Sequence, residues 1–205
     1  MSAKTARLLL SLTALWTYVS CYPNGINVDE ACSDMTPRHN HQGQTSASPF
    51  KITFCPNWYK QGSSVNVTLT GTSMKFKGFM IQARSNTDSA TSVGTFTATD
   101  YTRNACTSSK ALVHNSAIEK SQLTFKWMAP STASGNVTFW VTFVEDEDVF
   151  WVATKSSVLM DATNVNVTVE NCTMNSNIVS NSAVRVGSYF TLMFVVVSSI
   201  LISRY

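Results

Sequence analysis

A succession of short stretches in which apolar and polar side chains alternate, each bounded by Gly, Ser, Asn, Asp or Pro, confines this chain to β-structure. The clearest is Phe76-Lys77-Gly78-Phe79-Met80-Ile81-Gln82-Ala83-Arg84, where Phe79, Ile81 and Ala83 fall on one face and Met80, Gln82 and Arg84 on the other. It reads as a strand with one face in a core and the other nearer water, with Gly78 where the chain bends or packs closely and Arg84 in a structural ion pair. Further strands are expected over 50–54, 64–70, 94–99, 111–115, 122–127, 137–144, 149–153 and 164–169. No amphipathic helix or internal repeat interrupts them, so the predicted fold is an all-β antiparallel sandwich.

The two ends differ in composition from the middle. Residues 1–21 carry a basic start (Lys4, Arg7) and an apolar stretch from Leu8 to Val19, the anatomy of a secretory signal peptide cut before Tyr22. Residues 173–188 are rich in Asn and Ser and read as a stalk, and residues 189–205 form a hydrophobic tail. The tail is short for a membrane-spanning helix, which needs about 20 apolar residues, and suits a glycosylphosphatidylinositol (GPI) anchor signal with attachment at Asn175 or Asn181. A short transmembrane helix is the other reading. The formal charge of +3 includes Lys4, Arg7, Arg185 and Arg204, and neither end contains an acid, so the domain between carries about −1. A nucleic-acid partner loses its electrostatic support.

Removing Cys21 with the signal leaves Cys32, Cys55, Cys106 and Cys172, enough for two disulfides in three possible connectivities; cleavage elsewhere would leave Cys21 as a free thiol. Sequons at Asn66, Asn136, Asn166 and Asn171 predict N-glycans on exposed positions. Asn66 must then face solvent, which turns Val65, Val67 and Leu69 inward, and Asn166 does the same for Val165, Val167 and Val169.

Chemistry-bearing patterns are few. Glu145-Asp146-Glu147-Asp148 reads as a solvated hairpin turn, because consecutive carboxylates cannot all face one calcium ion without a glycine-shaped loop. His39 and His41 sit in a polar loop, and with His114 they offer no metal-ligand spacing, so no metal is expected. There is no nucleophile elbow, facing carboxylate pair or phosphate loop. The chain is therefore expected to be neither an enzyme nor a holder of a cofactor. Phe150 and Trp151 point to opposite faces of one strand, so at least one ring is expected at or outside the core rim as a binding contact.

Taken in order, Tyr22-Pro23-Asn24-Gly25, Cys32, Met35-x-Pro37-x-His39, Ser48-Pro49-Phe50, the Lys77–Arg84 run, Val93-Gly94-Thr95-Phe96, Cys106, His114-Asn115, Trp127-x-Ala129-Pro130, Gly135–Phe139 and Phe150-Trp151-Val152 form a set that resembles the reeler (reelin-type) domains. The likeness covers Tyr22 to about Lys155 and is greatest to the small secreted reeler proteins of invertebrates described as defence proteins. It implies an immunoglobulin-like sandwich within residues 22–172 and a disulfide matching Cys32 to Cys106, which leaves Cys55 for Cys172. It further implies an extracellular protein, secreted or on the outer face of the plasma membrane, that recognises microbial surface glycans in innate defence; a structural or adhesive cell-surface role is the alternative. Reeler domains also open ferric-chelate reductase-like proteins, whose redox work resembles that of later haem-binding and membrane regions and is not carried over.

Overall fold

A computed structural model describes residues 28–163. The expected signal peptide, stalk and tail, the strand over 164–169, and Asn166, Asn171, Cys172, Asn175 and Asn181 lie outside these residues. Ten strands make up the described part: β1 (Phe50–Cys55), β2 (Trp58–Tyr59), β3 (Ser64–Gly71), β4 (Gly78–Ser85), β5 (Thr95–Phe96), β6 (Thr102–Ala105), β7 (Ala111–His114), β8 (Gln122–Met128), β9 (Val137–Asp146) and β10 (Val149–Asp161). They form a four-stranded sheet, β1-β3-β8-β5, and a six-stranded sheet, β2-β10-β9-β4-β7-β6. All pairings are antiparallel except β2 with β10, a parallel pair that the purely antiparallel expectation did not include.

The inward set of β3, Val65, Val67 and Leu69, is fully buried, as the Asn66 sequon requires. It packs against Phe79, Ile81 and Ala83 of β4 and Phe139, Val141 and Phe143 of β9, which stand opposite one another in the β4–β9 register. Aromatic rings fill the gap between the sheets, with Phe50 stacked on Phe143 at 4.6 Å and Trp127 edge-on to Tyr59 at 5.3 Å.

β4 departs from the expectation of a half-wet strand: every one of its residues is buried. Residues 28–39 lie across the outer face of the six-stranded sheet and build a second apolar cluster there, with Ala31 and Met35 against Met80, Ala105, Ala111 and Val113. The Cys32–Cys106 disulfide, the pair the resemblance implies, ties this covering segment to the end of β6. On the entropy model, closing a loop of 74 residues' separation restricts the unfolded chain by ~4 kcal/mol. Cys55, at the end of β1, is also disulfide-bonded.

Candidate functional site

The outer face of β4 is polar because it binds main chain, not water. Gln82 Nε2 donates to the Cys32 carbonyl at 2.8 Å, and Arg84 Nη2 donates to the Ser33 carbonyl at 2.8 Å. From the neighbouring strand, Thr142 Oγ1 donates to the Met35 carbonyl at 2.7 Å. The Gln82 carbonyl oxygen in turn accepts from Arg84 Nε at 2.9 Å. Arg84 also donates to the Ser89 carbonyl and lies 4.6 Å from the centre of the Trp140 ring. The expected ion pair is thus replaced by carbonyls and a π face; burial lowers the Arg84 pKa, partly offset by the charge of Asp34.

Between the covering segment and the sheet remains a cavity of about 210 Å³. Its apolar walls include Met35 from the segment, Met80 from β4 and Val144 from β9, and His39, His114 and Phe79, whose ring lies in the main core, also line it. Strand alternation explains the placement, since Met80, Thr142 and Val144 occupy the outward positions of β4 and β9. At the rim, Lys77 and Asp146 form an ion pair at 2.8 Å, which raises the lysine pKa and lowers that of the carboxyl; Arg38 pairs with Asp34 at 3.1 Å. Both rim cations are therefore matched within the protein, and the Glu147 carboxylate stands beside them.

The two histidines present opposite hydrogen-bonding characters. His114 Nδ1 lies 3.2 Å from both the N–H and the carbonyl of Phe79. An orphaned strand N–H costs more than an under-used carbonyl, so Nδ1 accepts from Phe79 N–H and the proton of the neutral ring sits on Nε2. Burial pushes the His114 pKa down to about 4, which keeps the ring neutral near pH 7. His39 Nδ1 lies 2.9 Å from the Glu147 carbonyl, which can only accept, so His39 Nδ1 donates there. Gly78 allows His114 its position, because a Cβ there would lie 2.9 Å from the imidazole Cε1.

The remaining expected site residues are dispersed. Phe150 and Trp151 are both buried: Phe150 lies outside the main core, as expected of one ring of the pair, but neither ring is exposed. Trp151 packs edge-on against Phe50 in the main core, while Phe150 lies on the outer face beneath the segment, edge-on to His39 and close to Gly43. Asn66 is half-buried on the outer face of the four-stranded sheet, and Asn136 is exposed just before β9. His41 is exposed and does not line the cavity. The acidic tetrad spans the β9–β10 turn as expected. Asp29, Cys32 and Cys106 bring potential metal-ligand atoms together, but both sulfurs are committed to the disulfide. Sequence reasoning missed Met35, Met80, His114 and Val144 as one site; the signal available was a disulfide-tied segment together with a strand carrying Gln and Arg on its second face.

A two-sheet, disulfide-braced β-sandwich with a cavity under a stapled amino-terminal segment belongs to the class of extracellular-type β modules. Residues 30–182 match the Reeler domain family, and the chain belongs to it. It is 38% identical over 160 residues to "Putative ferric-chelate reductase 1" of Danio rerio, covering 75% of this chain and 28% of that protein. It is 33% identical over 140 residues to "Putative defense protein" of Bombyx mori, covering 62% of this chain and 78% of that protein. The chain thus spans little more than a quarter of the reductase. Among solved structures the human F-spondin reeler domain superposes with a TM-score of 0.52 at 21% identity, covering 60% of this chain and 96% of that domain, which shows the shared fold. Among the described residues, no helix is long and apolar enough to cross a membrane.

Proposed function

We propose that this chain is an extracellular, N-glycosylated binding protein of innate defence, held at the outer face of the plasma membrane by its carboxyl-terminal tail. It acts by recognising microbial surface glycans and not by catalysis. The observation that carries this reading is the likeness to a protein named for defence, 33% identical over 140 residues and aligned over 78% of that protein. A disulfide-stapled sandwich supports an oxidising, extracellular setting. Asn136 stands exposed, and Asn66 points from the outer face of its sheet, which supports glycosylation at both.

The test uses the glycoprotein purified from eukaryotic cells, applied to bacterial and fungal wall preparations and to a glycan array. Saturable binding is expected, together with a rise in transcript after microbial challenge. Failure of both overturns the defence reading, and expression indifferent to challenge favours an adhesive role. Phosphatidylinositol-specific phospholipase C is expected to release the protein from intact cells; retention refutes the lipid anchor.

A further inference from the structure

We infer that the cavity beneath the stapled segment is a binding site for a neutral, ring-sized apolar molecule carrying one hydrogen-bond acceptor. Size comes first. An apolar cavity of ~150 Å³ suffices to take up benzene, and this one measures about 210 Å³, room for an aromatic ring with a small substituent. The walls come second: Met35, Met80 and Val144 present thioether and aliphatic surface, and methionines adapt their shape to a ligand better than branched residues do. Charge comes third. Lys77 is already paired with Asp146, and Arg38 with Asp34, so an anionic ligand would have to break an existing pair to be matched, and an ion of either sign would lose hydration against the apolar walls.

His114 supplies the polar anchor. Its Nδ1 is occupied by the Phe79 N–H, which leaves the Nε2–H as a donor in a partly exposed ring that lines the cavity. An acceptor such as a ketone oxygen would meet that donor, whereas a pure hydrocarbon would leave it unpaired on binding. The site is distinct from any surface that would read microbial glycans, whose polyhydroxylated faces do not suit a cavity with apolar walls.

Acetophenone and ethylbenzene test the inference, being near-isosteres that differ in the carbonyl. The glycoprotein is produced with ¹³C-methyl methionine and titrated with each compound while the Met35 and Met80 methyl resonances are followed. Acetophenone is expected to shift both methyls in a saturable way and to bind about five- to tenfold more tightly than ethylbenzene. Ala117→Trp, an exposed substitution at the cavity wall, is expected to abolish the shifts while leaving the rest of the spectrum in place. The inference is overturned if acetophenone leaves both methyls unmoved at millimolar concentration, if Ala117→Trp leaves the shifts intact, or if ethylbenzene binds equally well. None of these results bears on binding to microbial walls, which is measured separately.

Discussion

Replacing Gly78 with alanine probes the contact that sets the position of the cavity's anchor. The backbone at Gly78 follows an ordinary strand, so close approach is the demand here. The new methyl would sit 2.9 Å from His114 Cε1 and 3.0 Å from Nε2, well inside the ~3.5–4.0 Å at which carbon atoms rest comfortably. The imidazole cannot retreat freely, because moving it breaks the bond from Phe79 N–H and orphans a strand donor. Overpacking costs ~1–3 kcal/mol, and losing the bond costs a similar amount, so the cheaper response still lies in that range. Alanine restricts the unfolded chain and returns ~0.4–1 kcal/mol, leaving a net loss of ~1–2 kcal/mol. Urea unfolding of wild type, Gly78→Ala, His114→Ala and the double variant forms a double-mutant cycle. Once the imidazole is gone, Gly78→Ala is expected to be neutral or slightly stabilising, giving a coupling of ~1–3 kcal/mol. A coupling below ~0.5 kcal/mol would refute the steric argument.

Two further outcomes follow from the same face of the sheet. Burial depresses the His114 pKa to about 4 in the folded protein against an ordinary 6.5, so between those values the unfolded chain binds a proton that the folded one refuses. Stability is therefore complete above about pH 6.5 and falls by up to ~3 kcal/mol as pH drops towards 4; urea midpoints across this window should show the slope in wild type and lose most of it in His114→Gln, and equal slopes would contradict it. Arg84→Met leaves the Ser33 carbonyl without its donor and is expected to cost ~2–4 kcal/mol in chemical denaturation. Asp34→Asn, which removes the charge facing Arg38 and, further off, Arg84 but keeps an oxygen to accept from Thr36 N–H, should cost under ~1 kcal/mol, and a larger loss than at Arg84 would restore the ion-pair explanation.

Local pattern reported one layer of this domain and was silent on the next. Alternation placed Phe79, Ile81 and Ala83 in the main core, and the sequon at Asn66 correctly turned Val65, Val67 and Leu69 inward. The same alternation assigned Gln82 and Arg84 to solvent, because a polar side chain that binds buried carbonyls looks no different in sequence from one that binds water. Short or polar strands were also invisible: β2 has two residues, and β6 reads Thr-Arg-Asn-Ala. The expected stretch over 149–153 continues in β10 to Asp161, through a Lys-Ser-Ser run whose register against β9 is broken by bulges. The cavity was out of reach for a different reason. Met35, Met80, His114 and Val144 come from four separate parts of the chain and meet only after the segment folds over the sheet.

The three bonds that hold this segment down run from sheet side chains to the carbonyls of Cys32, Ser33 and Met35. Gln82, Arg84 and Thr142 therefore read the path of the cover and ignore the side chains it carries there. Ser33, which is exposed, is free to drift, whereas the Asp34 carboxylate is held by Thr36 N–H and Arg38. Insertion or deletion of a single residue between Cys32 and Met35 is another matter, because it would slide the Met35 carbonyl out of step with Thr142 while the disulfide held the Cys32 end fixed. The cover is thus permissive in spelling and strict in length, a property that would let relatives vary its chemistry while keeping the cavity beneath it roofed.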